Sequence, residues 1–158
     1  MATYDRTITG GGTVGHPSDL PRPYTITSPV YDAVDNTNLA GADIVKLIDL
    51  PADTMVIGGS LEVLEASGNE QITLDVGTSL DVDSFADGVD SDPAAAINYQ
   101  FTLKAGAVGN LATSADAIQV TVLDGGSSAT TALRFRVHAV LCDVSRNPVE
   151  SATVSTGT

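Results

Sequence analysis

The stretch from Asp43 to Val76 constrains the fold more than any other part of the chain. It contains two apolar runs joined by a turn at Pro51, then a polar break, then a third run. The third run, from Ile72 to Val76, alternates apolar and polar residues, a period of two that turns one face inward and the other outward. Proline cannot donate to a strand ladder and belongs between strands. The stretch therefore predicts three consecutive strands of an antiparallel sheet, with a hairpin at residues 67–69.

The same alternation recurs along the chain, at residues 24–31 with a break at Pro29, and at 99–103, 118–122 and 133–141. No apolar pattern with a helical period extends beyond a turn or two. Many short strands separated by turn signals are typical of a β-sandwich or barrel, and the long connections favour a jelly roll or Greek key. The predicted fold is an all-β, jelly-roll-like β-sandwich with an extended N-terminal arm.

The chain of 158 residues favours one folded domain. Residues 1–23 read as a flexible N-terminal arm because they combine several glycines with Pro17, Pro21 and Pro23. Within the arm, Thr7–Thr9 has the character of a short strand that a neighbouring chain could accept. Residues 24–145 form the predicted β-sandwich domain, and residues 146–158 form a Ser/Thr-containing tail.

The charge balance excludes several classes of partner. Seven basic residues stand against 20 acidic ones, a formal net charge of -13. Nucleic acid and anionic membranes both attract cationic surfaces, so neither is expected as a partner. The N-terminus lacks the charged and apolar pattern of a signal region, and no apolar run reaches membrane-spanning length. We expect assembly in a host cytoplasm.

The acidic segment between residues 77 and 98 is the strongest local candidate for ion binding. Its carboxylates are the hard oxygen ligands that calcium takes. Phe85 stands where an EF-hand loop would need another oxygen, so a solvated acidic loop is the competing interpretation, and no metal or cofactor is predicted. The candidate calcium ligands are Asp81, Asp83, Asp87, Asp90 and Asp92.

Other catalytic or metal motifs are missing from the sequence. His138 and Cys142 would lie about 13 Å apart on a strand, too far to share a metal, and His16 has no ligand at short spacing. Cys142 is the single cysteine, which excludes an intrachain disulfide. Gly58-Gly59-Ser60 lies inside a strand and predicts a bulge or a close backbone approach, not a nucleophile elbow. We therefore expect a protein that is not an enzyme.

The last predicted strand places its cations on one face. Leu133, Phe135, Val137, Ala139 and Leu141 alternate with Arg134, Arg136 and His138. Two arginines on one face of a strand are notable in a chain with few cations. They are expected to pair with carboxylates, either within the chain or across an interface.

The order IVKLIDLPADT, VIGGSLEVLEA, ITLDVG and DVDSFADG resembles the capsid decoration (cement) proteins of tailed bacteriophages. The resemblance spans residues 44–88, about a quarter to a third of the chain, and covers neither the N-terminal arm nor the region after Asp92. It implies a β-sandwich or jelly-roll body, a homotrimer, and a place on the outer surface of the virion head. There the protein would clamp neighbouring major capsid proteins against internal DNA pressure. The interface candidates are Ile8, Pro17, Pro21, Arg134, Arg136 and His138.

Two alternatives remain at the level of sequence. One is a carbohydrate- or calcium-binding β-sandwich module, for which melting would respond to a chelator. The other is a structural protein associated with the tail or fibre of a phage.

Overall fold

The computed structural model describes residues 3–8, 23–36, 39–68, 72–93, 96–103, 110–124 and 132–144. These residues form strands, turns and bends, and no helix occurs among them. The strands are β1 (Thr3–Ile8), β2 (Pro23–Thr27), β3 (Tyr31–Asp32), β4 (Ile44–Leu50), β5 (Thr54–Glu65), β6 (Ile72–Gly77), β7 (Ala86–Asp90), β8 (Ile97–Gln100), β9 (Leu111–Ala112), β10 (Asp116–Asp124) and β11 (Arg134–Asp143).

The strands form two sheets. The five-stranded sheet has the order β1-β4-β10-β6-β7, and the six-stranded sheet has the order β2-β11-β5-β8, with β3 beside β11 and β9 beside β5. Strand β1 pairs parallel with β4, and the other described pairs are antiparallel. This arrangement confirms the all-β, jelly-roll-like sandwich expected from the alternation.

Side chains on the inner faces of the sheets fill a single apolar core. Along β11 the residues from Leu133 to Leu141 are buried at every second position, as the sequence predicts. Phe135 stacks on Tyr31 with ring centroids 5.3 Å apart, and Phe85 stacks on Phe101 at the same separation. The remainder of the core is aliphatic, which agrees with an aromatic content of 4%.

The expectation of three consecutive strands in one sheet is wrong. Strands β4 and β6 lie in the five-stranded sheet, whereas β5 lies in the six-stranded sheet. Both the Pro51 turn and the connection near Ser67 cross from one layer to the other, so the connection near Ser67 is not a hairpin. Because of the crossovers, the apolar faces of both sheets pack against one core. A flat meander of three strands would leave its apolar face uncovered.

Hydrogen bonds hold the second crossover in place. The Ser67 amide donates to the Ser91 carbonyl oxygen at 2.8 Å, and the buried Ser91 hydroxyl donates to the Ile72 carbonyl oxygen at 2.6 Å. The Ser67 and Ser91 hydroxyls lie 2.9 Å apart. Because buried hydroxyls are costly without partners, these serines fix the position at which the chain changes sheets.

The acidic segment also differs from expectation. Residues 86–90 form strand β7, whereas this segment was expected to be an acidic loop. Phe85 and Val89 are buried and attach this segment to the core. Asp75 was predicted on the outward face of its strand, but it is buried and accepts a hydrogen bond from the Gly88 amide at 2.8 Å. Gly88 has a φ of 62°, which suits the irregular β6–β7 pairing there.

Gly77 has a steric role at the end of β6. A Cβ at this position would collide with the carbonyl oxygen of Asp81 and lie 2.5 Å from the carbonyl carbon of Val82. The close approach comes from a tight turn in which the Thr78 amide donates to the Asp81 carbonyl oxygen at 2.9 Å. Only glycine leaves room for that turn.

Candidate functional site

The outer side of the six-stranded sheet carries a cluster of paired charges, which we call the charged face. The Nε of Arg136 lies 2.5 Å from Glu62 Oε2, and His138 Nε2 lies 2.9 Å from the same oxygen. The Nε of Arg134 lies 3.0 Å from Asp32, and its Nη1 lies 3.7 Å from Glu65. The charged face consists of Asp32, Glu62, Glu65, Arg134, Arg136 and His138.

Strand register explains why these side chains meet. Arg136 of β11 lies directly opposite Glu62 of β5, so their side chains project from the same side of the sheet. The register shifts by one residue between Arg134 and Phe135, and Arg134 lies opposite both Glu65 and Asp32. The expectation that the arginines pair with carboxylates is confirmed within the chain.

Glu62 is the centre of the charged face. The hydrogen bond from Arg136, followed by the hydrogen bond from His138, lowers the pKa of the Glu62 carboxyl below its ordinary value. The other ring nitrogen of His138, Nδ1, lies 2.9 Å from the Thr27 hydroxyl on β2. One carboxylate therefore links side chains from two strands of the sheet, and the histidine extends the link to a third.

The charged face is accessible to solvent. The side chains of Arg134, Arg136 and His138 are 45%, 36% and 32% exposed. Exposed ion pairs contribute little to stability, with a typical value of about 0–1 kcal/mol. The cluster is therefore better understood as an ordered polar surface than as a major source of folding energy.

An apolar end adjoins the charged face on the same side of the sheet. Met55 lies opposite both Leu111 of β9 and Cys142 of β11, which places the three side chains together. Leu111 is 39% exposed, and so is Ile57, which occupies the register shift between Val56 and Gly58. We define the apolar end as Met55, Ile57, Leu111 and Cys142.

The adjacent glycines produce the predicted irregularity in β5. A Cβ at Gly59 would collide with the carbonyl oxygen of His138 and lie 2.5 Å from the Phe101 ring, whereas a Cβ at Gly58 would meet nothing within 4 Å. The shift in register between β5 and β11 occurs beside Gly58. Both forms of the expectation, a bulge and a close backbone approach, are confirmed.

The predicted acidic residues are distributed along β7 and its flanking turns. A groove of about 510 Å³ beside this segment is lined in part by Asp83, Asp87, Asp90 and Tyr99 of β8. Desolvation, with a smaller effect of Asp90, raises the pKa of the Tyr99 hydroxyl. Over the described ranges, no three side chains of His, Cys, Asp or Glu lie close enough together to hold a metal ion.

Of the interface candidates in the N-terminal arm, the structure describes only Ile8. Ile8 ends strand β1 and lies opposite Ile48 of β4. Pro17, Pro21 and His16 lie outside the described residues.

The described part of the chain contains no helix long and apolar enough to cross a bilayer.

Sequence reasoning missed the acidic half of the charged face. Glu62 lies between the inward residues Leu61 and Val63, so the period of two already indicated that it points outward. Nothing local indicates its partner, because Arg136 is 74 residues away in sequence. Asp32 and Glu65 were missed for the same reason.

Comparison with known proteins gives a likeness of structure alone. No protein-family model and no curated protein sequence matches the chain. A chain of the cyanophage Pam1 capsid asymmetric unit has a TM-score of 0.59 at 15% identity, covering 77% of this chain and 85% of that one. A chain from the capsid of Ralstonia phage GP4 has a TM-score of 0.48 at 18% identity, covering 77% and 81%. A chain from the capsid of the Helicobacter pylori bacteriophage KHP30 has a TM-score of 0.45 at 18% identity, covering 78% and 92%.

The last two TM-scores are too low to carry an argument. The first likeness extends over most of both chains, and at 15% identity it shows a shared fold. The protein therefore has the same fold as a chain found in a phage capsid.

Proposed function

We propose that the protein is a non-enzymatic structural component of a phage virion. Specifically, we propose a decoration (cement) protein that binds the outer surface of the head and stabilises contacts between major capsid proteins. The observation that carries the proposal is the fold shared with a chain of the Pam1 capsid over 77% of this chain. The resemblance of residues 44–88 to decoration proteins supports the same role independently.

The outer side of the six-stranded sheet is the surface that we propose for docking. The charged face offers cations already paired with carboxylates, so a partner can cover it without leaving a buried charge uncompensated. The apolar end supplies exposed aliphatic area beside it, through Ile57 and Leu111. Exposed apolar area beside satisfied polar groups is a combination that protein interfaces commonly bury.

Net charge supports a partner different from the protein itself on this surface. A formal charge of -13 makes copies of the chain repel one another at long range. A shell protein with basic patches would be attracted by the same field. The proposed homotrimer must then be held by short-range contacts strong enough to outweigh that repulsion.

Reconstitution on heads that lack the protein tests the proposal. Purified chain is added to such heads and its occupancy is measured by gel densitometry and by reconstruction of the particles. We expect saturable binding to heads and none to isolated tails. Binding to tails or fibres alone would refute the head assignment, and failure to bind any virion part would refute the structural role.

The docking surface has its own matched variants. Ile57→Asp places a charge in the apolar end, whereas Leu123→Asp places one at a position of similar exposure, 40% against 39%, on the five-stranded sheet. We expect Ile57→Asp to reduce occupancy at least tenfold and Leu123→Asp to leave it unchanged. Equal loss in both variants, or loss in Leu123→Asp alone, would contradict the choice of surface.

A further inference from the structure

Strand β1 is attached to the body of the protein by a single ladder. It forms one edge of the five-stranded sheet and pairs with β4 in parallel, from Thr3 opposite Ile44 to Ile8 opposite Ile48. The register shifts between Asp5 and Ile8, so the ladder is regular over only its first part. Parallel pairing is slightly weaker per residue than antiparallel pairing. The ladder is therefore one of the cheaper parts of the sandwich to open.

The connection from β1 to the rest of the fold is long. Residues 9–22 separate the end of β1 from the start of β2, and they include Gly10, Gly11, Gly12 and Gly15. A connection of this length can reach about 45–50 Å when extended. Such a span exceeds the width of a small domain, so the covalent link alone does not require that β1 pair with its own β4.

We propose that β1 of one copy pairs with β4 of a neighbouring copy, in the same parallel register, when copies are held together on the shell. The occupant of the β4 edge is thus residues 3–8 of a second copy of this chain. The inference rests on the part of the proposed function that brings copies together. It identifies the β4 edge as the surface through which they become linked.

The free-energy balance favours exchange only at high local concentration. The ladder that breaks within one chain and the ladder that forms between chains are identical, so the two nearly cancel. The remaining term is the effective concentration of β1 near its own β4, which a short covalent linker sets at about millimolar. Neighbours fixed on a lattice reach that range, whereas a micromolar solution does not. In a closed ring each β4 receives one β1, so no β4 edge is left without a partner strand.

Disulfide trapping distinguishes the two pairings. Asp5 and Lys46 lie opposite each other in the ladder, and neighbouring strands are about 4.8 Å apart, within the range of a disulfide. In a Cys142→Ser background, one protein carries Asp5→Cys and another carries Lys46→Cys. The two are mixed in equal amounts, assembled on heads or concentrated to about millimolar, and oxidised. The double variant in one chain reports closure within a copy.

On heads and near millimolar concentration, we expect a covalent dimer that joins the two different variants. Up to about half of the Lys46→Cys chains should be linked, because half of the chains that supply β1 in an equal mixture carry Asp5→Cys. At micromolar concentration we expect closure within the double variant instead. A mixture of Asp5→Cys with Asp49→Cys is the control, because those positions lie out of register by about 10 Å. Strand exchange would be overturned if the Asp5→Cys and Lys46→Cys mixture formed no more dimer than the control mixture while the double variant formed its disulfide within one chain under every condition. The solution arm gives its answer even if the protein does not bind heads.

Discussion

The adjacent glycines of β5 allow a sharp test of the packing between the sheets. Gly59→Ala would place a methyl group against the carbonyl oxygen of His138 and 2.5 Å from the Phe101 ring. Neither group yields easily, because the carbonyl belongs to the backbone of β11 and the Phe101 ring stacks on the buried Phe85. Gly58→Ala adds the same methyl group one residue earlier, where nothing lies within 4 Å.

The two substitutions are expected to change the free energy of unfolding in opposite directions. Overpacking a well-filled site costs about 1–3 kcal/mol, and the collision with backbone places Gly59→Ala near the upper value. A loss of about 3 kcal/mol corresponds to a fall in Tm of roughly 6–12 °C for a chain of this length. Gly58→Ala is expected to be neutral or to stabilise by about 0.4–1 kcal/mol, because alanine restricts the unfolded chain.

Thermal and urea unfolding followed by far-ultraviolet circular dichroism measure both effects. The slope of the free energy of unfolding against urea concentration should be unchanged, which would show that the variants alter stability and not the extent of unfolding. If the two alanine variants melt within about 2 °C of each other, the close approach at Gly59 is not the constraint that we infer.

Three further perturbations follow from the same contacts. Phe135→Ala should lower the free energy of unfolding by about 3–5 kcal/mol, because the Phe135 ring is fully buried and stacks on Tyr31. Val34→Ala, at an exposed position, should change it by less than about 0.5 kcal/mol, and urea titration of both variants measures the difference. Glu62→Gln should lower Tm at pH 7, and the difference from wild type should narrow as the pH falls below about 4.5, because the lowered pKa of Glu62 stabilises the fold only while the carboxyl is ionised; a difference that grows in acid would contradict this. Gly77→Ala should destabilise by about 1–3 kcal/mol through its collision with the following turn, and a melting point equal to wild type would show that the turn can move aside.

Several features of the protein could be predicted from local sequence. The period of two along residues 133–141 determined which side chains of β11 enter the core and which form the charged face. Pro29 marked the break between β2 and β3, and Gly58-Gly59 marked the irregularity in β5. Each of these depends on one residue and its immediate neighbours, so each can be read without knowing what lies across the sheet.

The assignment of strands to sheets could not be predicted in this way. Alternation is the same whether a strand enters one layer or the other, and so β5 was placed beside β4 and β6 when it belongs to the opposite sheet. The acidic partners of the arginines were hidden for a related reason, since Glu62 meets Arg136 only after distant strands pair in one register.

Asp75 shows the same limit at a single residue. Its place in the alternation indicates an outward side chain, but the irregular edge at Gly88 covers it and supplies a hydrogen bond from the amide. Local sequence was enough to predict strands, faces and points of irregularity. The choice of neighbouring strands and of buried polar groups follows from tertiary packing, because it depends on closing two apolar faces over one shared core.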